Sequence, residues 1–235
     1  MEDDLEPEII GELLGLLAHD LRNPLSALHS NVGFLGSALE GMDPEMQEAL
    51  SDTLVSCDGL AHIIDNMEVL ALALSGRSAL PATRFDLRPL LSEAVARNQA
   101  LARSHDVELV LDSELATPAH VQSHRDMLAR AIGNLVRNSI QHASGGPSVH
   151  VSLQSSGSDY VVRVEDGGMP LSEQLRTEGF TARGQLVAKS ARGGRYSRGL
   201  GLFSARVSAE AAGAKVRAAT DSPDSNLFEL VLPRA

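Results

Sequence analysis

The nine residues Leu17-Ala18-His19-Asp20-Leu21-Arg22-Asn23-Pro24-Leu25 set a histidine beside an acid inside what otherwise reads as one long amphipathic helix. Apolar residues recur at Leu14, Leu17, Leu21, Leu25, Leu28, Val32, Leu35 and Leu39, in the steps of three and four that mark a continuous helical stripe packed against another element. At about 100° per residue, His19 falls two steps from Leu17 and two from Leu21, on the side away from the stripe, so its imidazole is expected to face solvent. Asp20 is an adjacent carboxylate able to hold the proton of one ring nitrogen and leave the other nucleophilic. Asn23 lies one turn on, on the same face, where an amide can position a water. Pro24 withdraws the donor that the Asp20 carbonyl needs, and a bend is expected just past the histidine.

This first helix is predicted from about Glu8 to Leu39, ending at Gly41-Met42-Asp43-Pro44, where Gly stops one helix and Asp-Pro opens the next. The second helix carries its own stripe at Met46, Leu50, Thr53, Cys57, Leu60, Ile64, Met67, Ala71 and Leu74. Two antiparallel helices cannot hide two such seams from water, whereas a pair of hairpins can, as a four-helix bundle. A homodimer is therefore expected, with Cys57 a small core residue.

The 235 residues suffice for one large domain or two small ones. A formal charge of -11 argues against nonspecific affinity for nucleic acid or anionic membrane. One cysteine excludes an intramolecular disulfide and fits a reducing, cytoplasmic setting. No apolar run approaches the roughly 20 residues of a membrane span, and the acidic first residues do not resemble a leader.

Beyond Leu74 the seam gives out in a segment containing Gly76, Ser78 and Pro81. The reading is residues 1–76 as a helical hairpin, 77–84 as a linker and 85–235 as a second domain. Thr83 to Leu87 is expected as a short strand, with Asp86 at a helix start, Pro89 in its first turn and the helix running to about Ser104. A strand at Val107 to Leu111 and a helix at Arg125 to Gln141 follow, the helix burying Met127, Leu128, Ala131, Ile132, Leu135 and Val136. Alternating Val149-Val151-Leu153 and Tyr160-Val162-Val164 predict adjoining strands, and Ala214 to Ala218 and Leu227 to Leu232 a final pair. Helices between antiparallel strands imply a sheet covered on one face, an α+β fold with an α/β sandwich as its second domain.

Three polar and glycine-rich stretches of that second domain suit a nucleotide. Asn134, Asn138, Gln141 and His142 share one helical face, where an amide oxygen can ligate Mg²⁺ and neighbouring donors can meet phosphate oxygens. Asp166-Gly167-Gly168 ends a strand, Asp166 being placed to accept an exocyclic amine of adenine while the glycines let the ring near the backbone. Gly199-Leu200-Gly201-Leu202 opens a helix whose amides form an anion site. Between the last two, Leu171 to Ser197 carries Arg176, Arg183, Lys189, Arg192 and Arg195, a local basic excess that suits a lid over phosphates. His120 and His124 have the i, i+4 spacing of one helical face, but Val121 stands where a His-Glu-x-x-His zinc site needs Glu.

In this order the motifs resemble the sensor histidine kinases of two-component systems, over nearly the whole chain. The stretch at His19 is similar to the family's H box, which implies that His19 is the phosphoacceptor, that Asp20 assists the kinase reaction and that Asn23 supports phosphatase activity. Asn134 to Asn138 resembles the N box, with Asn138 in the Mg²⁺-ligand position. Asp166-Gly167-Gly168 resembles the G1 box, with Asp166 recognising adenine, and Gly199 to Leu202 resembles the G2 box. The resemblance implies a Bergerat fold for the second domain and ATP and Mg²⁺ as cofactors. A response-regulator receiver domain as phosphoryl acceptor and an upstream sensory partner protein are implied as well. Related ATPases of that fold carry a glutamate where this chain has Asn134, so direct ATP hydrolysis should be poor and His19 the acceptor. Two departures stand out: Met169-Pro170 follows Asp166-Gly167-Gly168 at once, shortening the box, and Ser197 replaces a common glycine. The alternative reading is a histidine phosphotransferase or pseudokinase of the same architecture with a degenerate, non-ATP-binding pocket.

Overall fold

The structure, a computed structural model, describes residues 7–38, 43–75, 81–113, 117–143, 148–168, 170–184, 200–219 and 225–235. Its contacts divide into two units, Met1–Ser78 and Ala79–Ala235.

The first unit is a helical hairpin, α1 (Pro7–Ala38) against α2 (Pro44–Leu74). Asp43 caps α2 by accepting from the Met46 amide at 2.8 Å, with Pro44 at the first helical position, as Asp-Pro predicts. The stretch through Pro24 stays helical, so the proline sits inside α1 without ending it. Leu39 and the expected stop at residues 41–42 lie outside the described residues.

Each helix carries two rows of the seven-residue repeat. On α1, Gly11 and Ala18 are buried and Leu25 and Val32 half-buried, facing α2. The row one turn over, Leu14, Leu21, Leu28 and Leu35, lies further out, the last three 48–49% exposed. On α2, Cys57, Ile64 and Ala71 are buried while Met46 and Leu60 are at least half exposed. The inner rows hold the hairpin together, and Gly11 lets it close: a Cβ there would stand 2.9 Å from the Ala71 carbonyl. Arg22 ties α1 to α2 through Asp65 (2.9 Å) and Glu68 (2.7 Å). No helix among the described residues is long and apolar enough to cross a membrane.

The second unit is an α/β sandwich. Its five-stranded sheet has the order β2 (Leu109–Ser113), β4 (Val149–Ser156), β5 (Asp159–Asp166), β7 (Asn226–Pro233), β6 (Lys215–Ala219). A two-stranded ribbon pairs β1 (Thr83–Asp86) with β3 (His120–Ser123). Helices α3 (Leu87–Ser104), α4 (Arg125–His142) and α6 (Gly201–Ala211) pack together, α4 against both others, and α5 (Glu173–Glu178) is a short turn after β5. Alternation sorts the strands: Val149, Val151, Leu153, Val162, Val164, Phe228, Leu230 and Leu232 are buried, as are Leu128, Ala131, Ile132, Leu135 and Val136 of α4. Met127, expected among them, is half-buried.

Four details depart from the sequence reading. The strand expected at Val107 to Leu111 begins at Leu109 and reaches Ser113, because residues 105–108 first turn the chain off α3. It pairs parallel with β4, so the sheet is mixed; the connection between them passes through β3 and α4, which gives the reach a parallel crossover needs. The strand expected from Thr83 to Leu87 ends at Asp86, and Leu87 already opens α3. His120 and His124 do not share a helical face. His120 is in β3, and His124 caps α4, its Nδ1 accepting from the Met127 amide at 3.3 Å.

Candidate functional site

His19 projects from the middle of α1 with its side chain 74% exposed, and its Nδ1 stands 3.5 Å from Asp20 Oδ1. Asn23, one turn on, is exposed too. The apolar rows turn Ala18 inward and His19 outward, so a side chain with no packing role is held on a rigid helix. An imidazole whose Nδ1–H faces a carboxylate leaves Nε2 with its lone pair toward solvent, the arrangement of a nucleophile.

In the second unit the described site residues lie along α4, with the turn after β5 beside His142 and the start of α6 beside Asn134. Asp166, at the last position of β5, is 1% exposed. Its Oδ1 accepts from the Gly168 amide at 3.0 Å and from Asn226 Nδ2 at 2.9 Å. Its Oδ2 is buried and finds no hydrogen-bond partner among the described residues. A buried carboxylate oxygen left unpaired is costly, and a donor from a ligand relieves that cost. Asn226 also accepts from the Leu171 amide at 2.8 Å, so one side chain ties the end of β5 to the chain that follows the glycines.

Asn226 was not singled out in the sequence. Its signal is an amide at the head of a strongly apolar strand, opposite Asp166 in the β5–β7 register, a pairing no local pattern displays.

Gly168 also meets a constraint from packing. A Cβ there would lie 2.5 Å from the His142 carbonyl and 2.9 Å from Asp166 Oδ1, so the missing side chain makes room for the end of α4. Of the polar face of α4, Asn134 is 4% exposed, with Nδ2 donating to the Arg130 carbonyl at 3.0 Å. Its Oδ1 is a second buried acceptor without a partner among the described residues, and a Cβ on Gly201 would stand 3.7 Å from it. Asn138, Gln141 and His142 are half-buried along the same helix.

Leu200 precedes α6 with φ +85°, the left-handed region, with no side-chain cap; its carbonyl accepts from the Ser204 amide at 2.7 Å. Non-glycine backbone in that region costs about 1–3 kcal/mol, and such strain gathers at ligand sites. Gly201 is the first residue of α6, and Leu202 is buried. Gly199, Lys189, Arg192, Arg195 and Ser197 lie outside the described residues.

These features test the fit of a magnesium nucleotide. Asp166 Oδ2 suits an amine donor, Asn134 Oδ1 suits a cation or donor, and the start of α6 suits an anion. The residues present fit.

Residues 9–76 match the family described as His Kinase A (phospho-acceptor) domain. Residues 123–235 match Histidine kinase-, DNA gyrase B-, and HSP90-like ATPase. The sensor protein CopS of Pseudomonas syringae pv. tomato is 28% identical over 67% of this chain and 31% of its own. The probable sensor kinase SilS of Salmonella typhimurium is 26% identical over 93% of this chain and 44% of its own. The chain thus spans less than half the length of these relatives. Among solved structures, full-length ShkA in complex with AMPPNP superposes with a TM-score of 0.63 at 20% identity, covering 95% of this chain and 46% of that one. The Acinetobacter baumannii histidine kinase AdeS gives 0.57 at 16%, covering 92% and 97%. At these identities the likeness concerns the fold.

Proposed function

We propose, because the chain belongs to the sensor histidine kinases, that it uses ATP to phosphorylate His19 and passes the phosphoryl group to an aspartate on a response-regulator receiver domain. The observation that carries this reading is the orphaned Asp166 Oδ2, a buried acceptor at the end of β5 in a chain whose other unit presents an exposed imidazole. We assign residues 1–76 to dimerisation and phosphotransfer, 77–84 to a linker and 85–235 to nucleotide binding.

In this reading Asp166 Oδ2 accepts the exocyclic amine of adenine while Asn226 and the Gly168 amide hold the carboxylate in that orientation. Gly168, Gln141 and His142 form the wall beside it, and Asn134 and Asn138 hold the metal and phosphate end, with Asn138 as the Mg²⁺ ligand. Leu200, Gly201 and Leu202 present backbone amides at the α6 start to the phosphates, and Gly199 is assigned to the same phosphate site by its place in the motif. Mg²⁺ supplies charge neutralisation on the phosphates. His19 Nε2 attacks the γ-phosphorus, a P–N bond forms as the P–O bond to ADP breaks, and Asp20 stabilises the ring proton on Nδ1. Phosphoryl transfer to a carboxylate then regenerates His19. Asn23, exposed beside it, is placed to orient a water for dephosphorylating the regulator.

The outer heptad rows support a homodimer. Leu21, Leu28, Leu35 and Leu60 leave an apolar seam about half exposed on each hairpin, and a second copy buries it in a four-helix bundle. An upstream sensory partner protein supplies the input, and a cytoplasmic setting fits the single cysteine.

Incubation with γ-labelled ATP and Mg²⁺ tests the reading. Acid-labile, base-stable label is expected on the wild type and absent from His19→Ala. ATP binding with no label in a folded dimer points to a kinase that needs its activator. Neither label nor ATP binding overturns the kinase reading and leaves the phosphotransferase or pseudokinase alternative.

A further inference from the structure

The sheet face opposite the buried valines holds a second chemical grouping, unrelated to nucleotide binding. In β4, Val149, Val151 and Leu153 point into the core, which turns His150 and Ser152 to the other side, with Ser148 immediately ahead of the strand. The parallel ladder sets Val110 beside His150 and Asp112 beside Ser152, so the Asp112 side chain reaches back along the same face. Ser148 Oγ is 2.8 Å from His150 Nε2, and His150 Nδ1 is 2.8 Å from Asp112 Oδ2.

Only one neutral tautomer satisfies both contacts. With Asp112 ionised, Nδ1 must carry the proton and donate it to the carboxylate, which leaves Nε2 to accept from the Ser148 hydroxyl. That is the connectivity of a nucleophile, its general base and the group that orients the base. The adjoining carboxylate on β5, Glu165, faces His150 in register but is engaged by the Ser225 hydroxyl at 3.0 Å. Asp112 is thus the carboxylate bonded to the ring. His150 and Asp112 sit on paired strands, so their spacing is fixed by the sheet, and Ser148 directly precedes β4, whose first residue is Val149. They are also reachable: the His150 and Asp112 side chains are 44% and 46% exposed.

We propose that Ser148 is an activated nucleophile that takes acyl groups from small activated esters, with His150 as its base and Asp112 as the orienting carboxylate. Ser148 Oγ attacks the carbonyl carbon while its proton passes to His150 Nε2. The bond to the alcohol then breaks, and the alcohol leaves with that proton, giving acyl-Ser148. Water, deprotonated by the same nitrogen, releases the acid and restores the serine. Open to solvent on the sheet face, the group favours small acyl compounds with good leaving groups over large substrates that need a deep cleft. It lies in the nucleotide-binding unit but involves none of the residues assigned to ATP.

The test uses the full chain with a fluorophosphonate probe and, separately, p-nitrophenyl acetate. Expected are a single adduct located on Ser148 by peptide mass spectrometry and slow release of p-nitrophenol. Both are lost in Ser148→Ala. In His150→Gln the rate of adduct formation falls by about 100-fold or more, the usual contribution of a general base. Asp112→Asn, which favours the wrong tautomer, slows it with the serine still present. Circular dichroism and ATP binding are expected to match the wild type throughout. No adduct on Ser148 in folded wild-type protein, or an adduct whose rate ignores His150→Gln, overturns the proposal and leaves the three residues as a hydrogen-bonded chain across the sheet.

Discussion

Asn226 Nδ2 donates to Asp166 Oδ1 at 2.9 Å across the β5–β7 pair, with both side chains buried. This bond fixes which carboxylate oxygen is engaged and which is left for a ligand. The same amide accepts from the Leu171 amide, so the turn after Gly167-Gly168 is braced from a neighbouring strand. The end of β5 and Leu171 are thus held by a residue about 60 positions from Asp166.

Asn226→Ala removes both bonds, taking its acceptor from the Leu171 amide and one of two donors from Asp166 Oδ1, which keeps the Gly168 amide. Breaking buried hydrogen bonds of this kind costs about 1–3 kcal/mol, more when a charged group is involved. ATP affinity is expected to fall about tenfold or more and the denaturation midpoint of the second unit to drop. Calorimetric titration with Mg-ATP and urea unfolding check the two effects. Unchanged affinity would remove Asn226 from the orientation of Asp166.

Gly168→Ala places a methyl group 2.5 Å from the His142 carbonyl and 2.9 Å from Asp166 Oδ1. Both neighbours belong to rigid elements, so the end of α4 or the turn after β5 must shift. Overpacking of this kind costs about 1–3 kcal/mol. A lower melting temperature with weaker ATP binding is expected. Gly133→Ala serves as the control, since a Cβ there meets nothing within 4 Å.

Much of this was legible in the sequence, wherever one chain segment carried the whole pattern. The helical hairpin, the burial of the apolar positions between Leu128 and Val136 and the outward His19 follow from periodicity, because a helix repeats its own face. The inner face of α1 lies one position off the expected stripe: Leu17 of that stripe is 54% exposed while Ala18 is buried. What escaped is long-range. Asn226 matters through a strand pair, the Gly168 constraint comes from the carbonyl of His142, and β3 is too short at four residues to show a period. His120 and His124 fit a helical spacing equally well on paper. Only the pairing of β3 with β1 removes His120 from any helix.

Asp86 predicts an acid limit for the second unit. The Arg88 guanidinium bonded to it is the largest influence and lowers its pKa, burial opposes, and the Arg88 and Ala119 amides lower it again, leaving it at about 2 rather than 3.8. A carboxylate whose folded pKa is depressed stabilises the fold above its unfolded value, and that contribution is lost as pH falls through the folded one. Stability measured by urea titration is therefore expected to decline between about pH 4 and pH 2. Asp86→Asn should be less stable at neutral pH, since it loses the charge that pairs with the Arg88 guanidinium, and flatter across that window. A variant with the wild-type acid slope would show that other carboxylates set the limit.

For Leu200 a substitution acts with the opposite sign. At φ +85° a leucine pays a steric penalty that glycine does not, roughly 1–2 kcal/mol for an L-residue in this region. The bond from the Ser204 amide to the Leu200 carbonyl is made by the backbone and survives the exchange. Leu200→Gly therefore removes strain while loosening the unfolded chain, which offsets part of the gain. The melting temperature is expected to stay level or rise slightly, whereas an ordinary Leu→Gly change ahead of a helix lowers it. ATP binding is the second readout. If the strained turn presents the α6 amides, the more pliable glycine weakens binding without destabilising the fold. A large drop in melting temperature would instead show that the Leu200 side chain, half-buried here, contributes more by packing than its backbone costs.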